Sequence, residues 1–146
     1  AGLASLSIGG GAHRAARDEA ERLYQLLAFA SDEATLQGEE YGLVVEDDGY
    51  RVLRFDPATE AWAEATGKPW EPHALPAGMR LELSLAEAPG ARRRDARDGA
   101  DGEPVPEILL LSSGEVTPFR IDIRLGEGTE PAARIESDGS GTIRQE

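Results

Sequence analysis

From His13 to Gln37 the apolar positions fall at helical intervals. Ala16, Ala20, Leu23, Leu27, Ala30 and Ala34 recur every third or fourth residue, and Leu26 widens the stripe. Arg17, Asp18, Glu21, Arg22, Gln25, Asp32 and Glu33 take the rest of the surface, and Asp18 precedes Arg22 by four residues, acid first, the favourable order for a helix pair. The pattern predicts a helix whose stripe packs on a sheet, which explains these residues better than any cofactor box. Gly38 is placed to stop it. Gly9, Gly10 and Gly11 should weaken the helix upstream of His13, each by about 1 kcal/mol relative to Ala.

After Gly38 the period changes to two. Tyr41, Leu43 and Val45 alternate with smaller residues, Asp47-Asp48-Gly49 makes a turn, and Tyr50 to Phe55 returns as a second strand. Asp-Gly suits such a hairpin because it tolerates the positive φ of tight turns. Glu60 to Ala65, around Trp62, reads as a third strand. Thr66 to Gly78 holds Pro69, Pro72, Pro76 and Trp70, so an irregular, half-buried segment is expected there. Met79, Leu81, Leu83 and Leu85 alternate with Arg80, Glu82 and Ser84, the pattern of a half-buried strand. Ile108 to Leu111 is a continuous apolar run, predicting a central strand covered on both faces. Ser113-Gly114 then turns the chain toward Phe119, Ile121, Ile123 and Leu125. Weaker strand patterns at Ala133–Glu136 and Thr142–Arg144 flank Asp138-Gly139.

Between residues 86 and 106 apolar periodicity disappears. AEAPGARRRDARDGADGEPVP is rich in Gly, Pro, Arg and Asp, and is expected to be a disordered surface loop. The plan is α+β: one long N-terminal helix and roughly six to eight antiparallel strands in one domain. A length of 146 residues, with 40% hydrophobic and 29% charged side chains, supplies a core for one such domain.

Charge narrows the function. Fifteen Lys+Arg against 28 Asp+Glu give a formal −13, which repels phosphate backbones over most of the surface. With no cysteine there is no disulfide, thiolate nucleophile or zinc–thiolate site, and the two histidines, His13 and His73, supply few acid–base groups. Arg92, Arg93, Arg94 and Arg97 form the one basic cluster, but Glu87, Asp95, Asp98, Asp101 and Glu103 surround it and no aromatic residue interleaves to stack on bases. Asp95, Asp98 and Asp101 lack the alternate spacing and closing Glu of a calcium loop. Ser112 follows a strand without a G-x-S-x-G elbow, and Lys68 precedes Pro69 without a glycine-rich lead. We assign no catalytic residue, cofactor or metal ligand, and no nucleic-acid partner. A structural or binding protein fits best.

One constellation is more specific. An apolar stub runs into AARDEAERLYQLLAFASDEATLQGEEYGLVVEDDGYRVLRFD, a sheet with Trp62 and a Pro-rich segment follow, and ILLLSSGEVTPFRIDI comes near the C-terminal end. The chain thereby resembles the H-type minor pseudopilins of bacterial type II secretion (GspH, called XcpU in pseudomonads), within the type IV pilin superfamily. Leu23 to Phe55 and Ile108 to Phe119 carry most of the likeness.

The resemblance implies a pilin-like fold, a long helix packed on antiparallel β-sheet arranged as two sheets. It implies a prepilin, cut and N-methylated ahead of an apolar helix that anchors the subunit, single-pass, in the inner membrane with its globular domain in the periplasm. Residues 1–12 would be the remnant of that helix or a flexible terminus, and residues 13–146 the periplasmic domain. The implied role is at or near the tip of a short pseudopilus, helping to start the filament that exports folded proteins across the outer membrane. Its partners would be the I-, J- and K-type minor and the G-type major pseudopilins, with the secretin and secreted substrates as further contacts. The contact residues expected are Arg17, Glu21 and Gln25 on the exposed helix face, and Arg92, Arg93 and Arg94.

Two alternatives stand beside it. A FimT/FimU-like minor pilin of a type IV pilus shares this domain type, and some bind DNA through basic C-terminal residues. Here Arg134 and Arg144 are offset by Glu136, Asp138 and Glu146. A small secreted ligand-binding β domain would use Trp62 and Trp70 as stacking platforms.

Overall fold

A computed structural model describes residues 2–85 and 104–146. The Arg92–Arg93–Arg94 cluster, and all but the last three residues of the expected loop, lie outside the described residues. Helix α1 spans Gly2–Gln37. It therefore starts well before His13 and runs through Gly9, Gly10 and Gly11, because their combined propensity penalty falls inside one continuous helix rather than at its end. The stop is as expected: Gly38 takes φ +66, and Glu39 N–H reaches back to the Ala34 carbonyl at 3.1 Å, closing a Schellman motif.

Nine strands form two antiparallel sheets among the described residues. The first sheet contains β1 (Tyr41–Glu46), β2 (Gly49–Asp56), β3 (Ala61–Glu64), β4 (His73–Ala74) and β6 (Ile108–Leu110), ordered β3-β2-β1-β6 with β4 beside β3 along the same edge of β2. The second is ordered β5 (Met79–Leu85), β7 (Phe119–Leu125), β8 (Ala133–Ser137), β9 (Ile143–Gln145). The two-residue β4 arises inside the Pro-rich segment, too short for any periodicity to announce it.

The hairpin forms as expected, with Glu46 opposite Gly49 and Asp47-Asp48 as its turn, but for a different reason. Gly49 does not adopt positive φ; it is needed because a Cβ there would lie 2.3 Å from the His73 carbonyl oxygen. That turn also joins the layers: Asp48 accepts from Leu75 N–H and Asp47 from Leu81 N–H, each at 2.8 Å.

The run Ile108–Leu111 is not central. β6 ends the first sheet, and its outer side is covered by the returning chain, which forms a bridge from Leu110 to Val116 and takes Leu109 N–H onto the Thr117 hydroxyl at 2.9 Å. The run is apolar because Ile108 and Leu110 are buried in the core while Leu109 lies half-buried under this return.

Ala16, Ala20, Leu23, Leu27, Ala30 and Ala34 are 0–1% exposed. Through them α1 crosses both layers, touching β1 and β6 of one and β7, β8 and β9 of the other. The core joins this stripe to Leu43, Val45 and Val52 on one side and Ile121, Ile123 and Ile135 on the other. Burying each large aliphatic chain contributes about 1.5–3 kcal/mol.

Candidate partner-contact face

With its stripe in the core, α1 turns the opposite face outward. Arg17, Glu21 and Gln25, spaced by four, are exposed along it. Gln25 Nε2 donates to Glu21 Oε1 at 2.9 Å, and Gln145 Nε2 donates to the Arg17 carbonyl at 3.4 Å. The structure brings these three together; Arg92, Arg93 and Arg94 lie outside the described residues.

Beside this row the Pro-rich segment folds back over the helix. His73 Nε2 meets Glu19 Oε2 at 2.7 Å, with side chains 18% and 14% exposed. Trp70 stacks on Tyr41, ring centres 4.9 Å apart, and tilts against Phe29 at 5.4 Å. Trp62 packs edge-on to Phe55 at 5.3 Å. Both tryptophans are thus engaged with rings of their own chain rather than standing free as platforms.

Helix and segment enclose a groove of about 400 Å³ lined by Arg22, Gln25, Leu26, Phe29, Tyr50, Pro69, Glu71 and His73. Tyr50 forms its floor, 4% exposed, with its ring 5.2 Å from His73. Burial pushes the Tyr50 phenol up to about 12, helped by the negative Glu19 and opposed by the Arg22 guanidinium. Phe29, at 43%, and Leu36, at 76%, are the large hydrophobic side chains left exposed among the described residues. Seven residues apart, they share one side of the helix.

Ser112 is held by Glu40, which accepts from its amide at 2.5 Å and from its hydroxyl at 3.1 Å, with no histidine in the arrangement. Among the described residues no group of three metal-ligating side chains occurs, and no helix is long and apolar enough to cross a membrane.

Sequence reasoning missed Glu19, Tyr50 and His73 as one cluster, since hydrogen-bonded partners 54 residues apart leave no local spacing. Phe29 and Leu36 did carry a signal: each is a large apolar residue off the stripe of an otherwise amphipathic helix.

The family model described as Type II transport protein GspH matches residues 19–141. The chain is 40% identical over 143 residues to type II secretion system protein H of Pseudomonas aeruginosa, covering 94% of this chain and 80% of that protein. It is 30% identical over 152 residues to the protein of the same name from Vibrio cholerae, covering 88% and 76%. The fold is similar to the crystal structure of the Vibrio cholerae minor pseudopilin EpsH, with a TM-score of 0.74 and 28% identity over 92% of this chain and 94% of that one.

Proposed function

The chain belongs to the GspH family of type II transport proteins, and from that premise we propose that it acts at or near the tip of the type II secretion pseudopilus, helping to start the filament. It is a structural subunit of that machinery; its chemistry is recognition, with no catalytic role. Its partners are the I-, J- and K-type minor pseudopilins and the G-type major subunit. The globular part works in the periplasm, held to the inner membrane by an apolar segment ahead of the amphipathic part of α1.

One observation supports this reading above the others. The helix uses its whole apolar stripe internally, yet keeps Phe29 and Leu36 exposed on another side, beside the row Arg17, Glu21 and Gln25. A chain of formal charge −13 gains nothing in solubility from two large exposed apolar residues on one helix, whereas a helix packed against neighbouring subunits would cover them.

The test is co-elution of this chain with the soluble domains of the I-, J- and K-type pseudopilins, with stoichiometry from light scattering. A defined complex that Leu36→Asp or Phe29→Asp abolishes, at unchanged melting temperature, is the expected result. A complex indifferent to both variants removes this helix face from the interface, and no complex with any of the three overturns the tip assignment.

A further inference from the structure

The helix face opposite the buried stripe is not uniformly polar. Phe29, Asp32 and Leu36 follow one another at intervals of three and four, the spacing at which one helix meets another, and all three are exposed. The Pro-rich segment reaches this row at Phe29, through Trp70, while Asp32 and Leu36 stay open to solvent. Asp32 forms no ion pair and no side-chain hydrogen bond among the described residues.

The charge around it is one-sided. From Leu23 to Tyr50 the chain carries seven acids and no base. The last turn of α1 holds no basic residue, although the carbonyls left over at a helix C-terminus favour a cation there. Arg54, which β2 brings to this end of the helix, is taken by Glu39 at 3.5 Å. An unpaired carboxylate at the negative end of a helix costs the isolated domain stability. The arrangement gains only when a positive charge arrives from outside.

We propose that Phe29, Asp32 and Leu36 form one docking seam, and that its occupant is a helix of another subunit. That helix presents an Arg or Lys to Asp32, between apolar side chains that cover Phe29 and Leu36. The inference rests on the assembly reading above and adds the partner's chemistry to it: Asp32 selects by charge which helix lies on the apolar pair. A neutral or acidic helix would leave the carboxylate desolvated without a partner.

The test measures binding to the I-, J- and K-type soluble domains by calorimetry, at low and high salt, for the unmodified chain, Leu36→Asp, Asp32→Asn and Asp32→Lys. Asp32→Asn should weaken the complex several-fold and flatten its salt dependence, and Asp32→Lys should weaken it roughly tenfold or more. Both should melt no lower than the unmodified chain, and Asp32→Lys slightly higher, since a cation suits the C-terminal end of a helix. A complex that Leu36→Asp disrupts but Asp32→Lys leaves intact would overturn the charge selection and leave the assembly reading standing. A complex indifferent to all three variants, or no complex, would remove the face itself and the inference with it. A lower melting temperature in Asp32→Asn would assign the carboxylate to the fold and overturn the proposal as well.

Discussion

Glu19 on α1 and His73 on β4 meet at 2.7 Å across 54 residues of chain, and this contact pins the Pro-rich segment to the helix. Both side chains are mostly sheltered from solvent, at 14% and 18% exposure.

Glu19→Ala should therefore release the segment rather than unfold the domain. Hydrogen bonds to charged groups contribute about 1.5–3 kcal/mol, so exchange protection of the Leu75 amide, bonded to the Asp48 carbonyl, should fall roughly tenfold to a hundredfold. Amides of Ile121 and Ile123 in β7 should keep theirs. Equal loss in both places would make the contact a global one.

Gly49 marks where β4 presses on β2. A Cβ at Gly49 would stand 2.3 Å from the His73 carbonyl oxygen, and its nearest neighbours are all backbone atoms of His73 and Ala74, not a flexible side chain that could move. Gly49→Ala should cost about 1–3 kcal/mol by displacing β4. Gly67→Ala is the control: it carries φ +82 with nothing within 4 Å, so its cost is backbone strain alone. Denaturant midpoints of the two variants compare the effects. If Gly49→Ala leaves Leu75 exchange unchanged, the close approach is not what holds the segment.

The elevated Tyr50 phenol predicts alkaline behaviour. Folded Tyr50 keeps its proton to about 12, whereas the unfolded side chain loses it near 10. The unfolded state thus binds fewer protons between those values, and this contribution to stability is full below pH 10 and lost as pH rises toward 12. Tyr50→Phe should remove up to about 2–3 kcal/mol of the alkaline loss, at 1.36 kcal/mol per unit. Stability against pH for the two proteins, with phenolate absorbance as the probe of ionisation, checks it. Parallel curves would show that Tyr50 ionises as readily folded as unfolded.

Much of the fold was legible because its elements are amphipathic. The stripe from Ala16 to Ala34 and the alternation Phe119, Ile121, Ile123 each state which side meets the core. The upstream extent of α1 was not legible, since glycine propensity is a local penalty that a continuous helix absorbs. β6 misled because Leu109 is covered by a returning segment, which a run of apolar letters does not distinguish from a neighbouring strand. The groove was invisible for another reason: Glu19, Tyr50 and His73 are ordinary residues until tertiary packing brings them together. Phe29 and Leu36 lie off the apolar stripe, a signal present in the sequence that its reading did not single out.

The second sheet has its own polar joint, and it yields a test independent of the helix. Asp122 and Arg134 are register partners across β7 and β8, and Arg134 Nε donates to Asp122 Oδ1 at 2.7 Å. The Asp122 side chain is 9% exposed, and Arg124 approaches its other oxygen at 3.6 Å while also binding Glu82 at 3.0 Å. The hydrogen bond to Asp122 raises the Arg134 pKa. Asp122→Asn preserves shape and leaves Arg134 facing a neutral amide, which should cost about 1.5–3 kcal/mol. Arg134→Gln leaves the sheltered carboxylate with the more distant Arg124 and should cost a similar amount. Because each single change already loses the shared bond, the double variant should be less destabilised than the sum, with a coupling energy of about 1–3 kcal/mol. Urea titrations of the four proteins measure it. Additive losses would mean that Asp122 is satisfied through Arg124, and that the β7–β8 joint rests on backbone pairing and the Ile121–Ile135 contact alone.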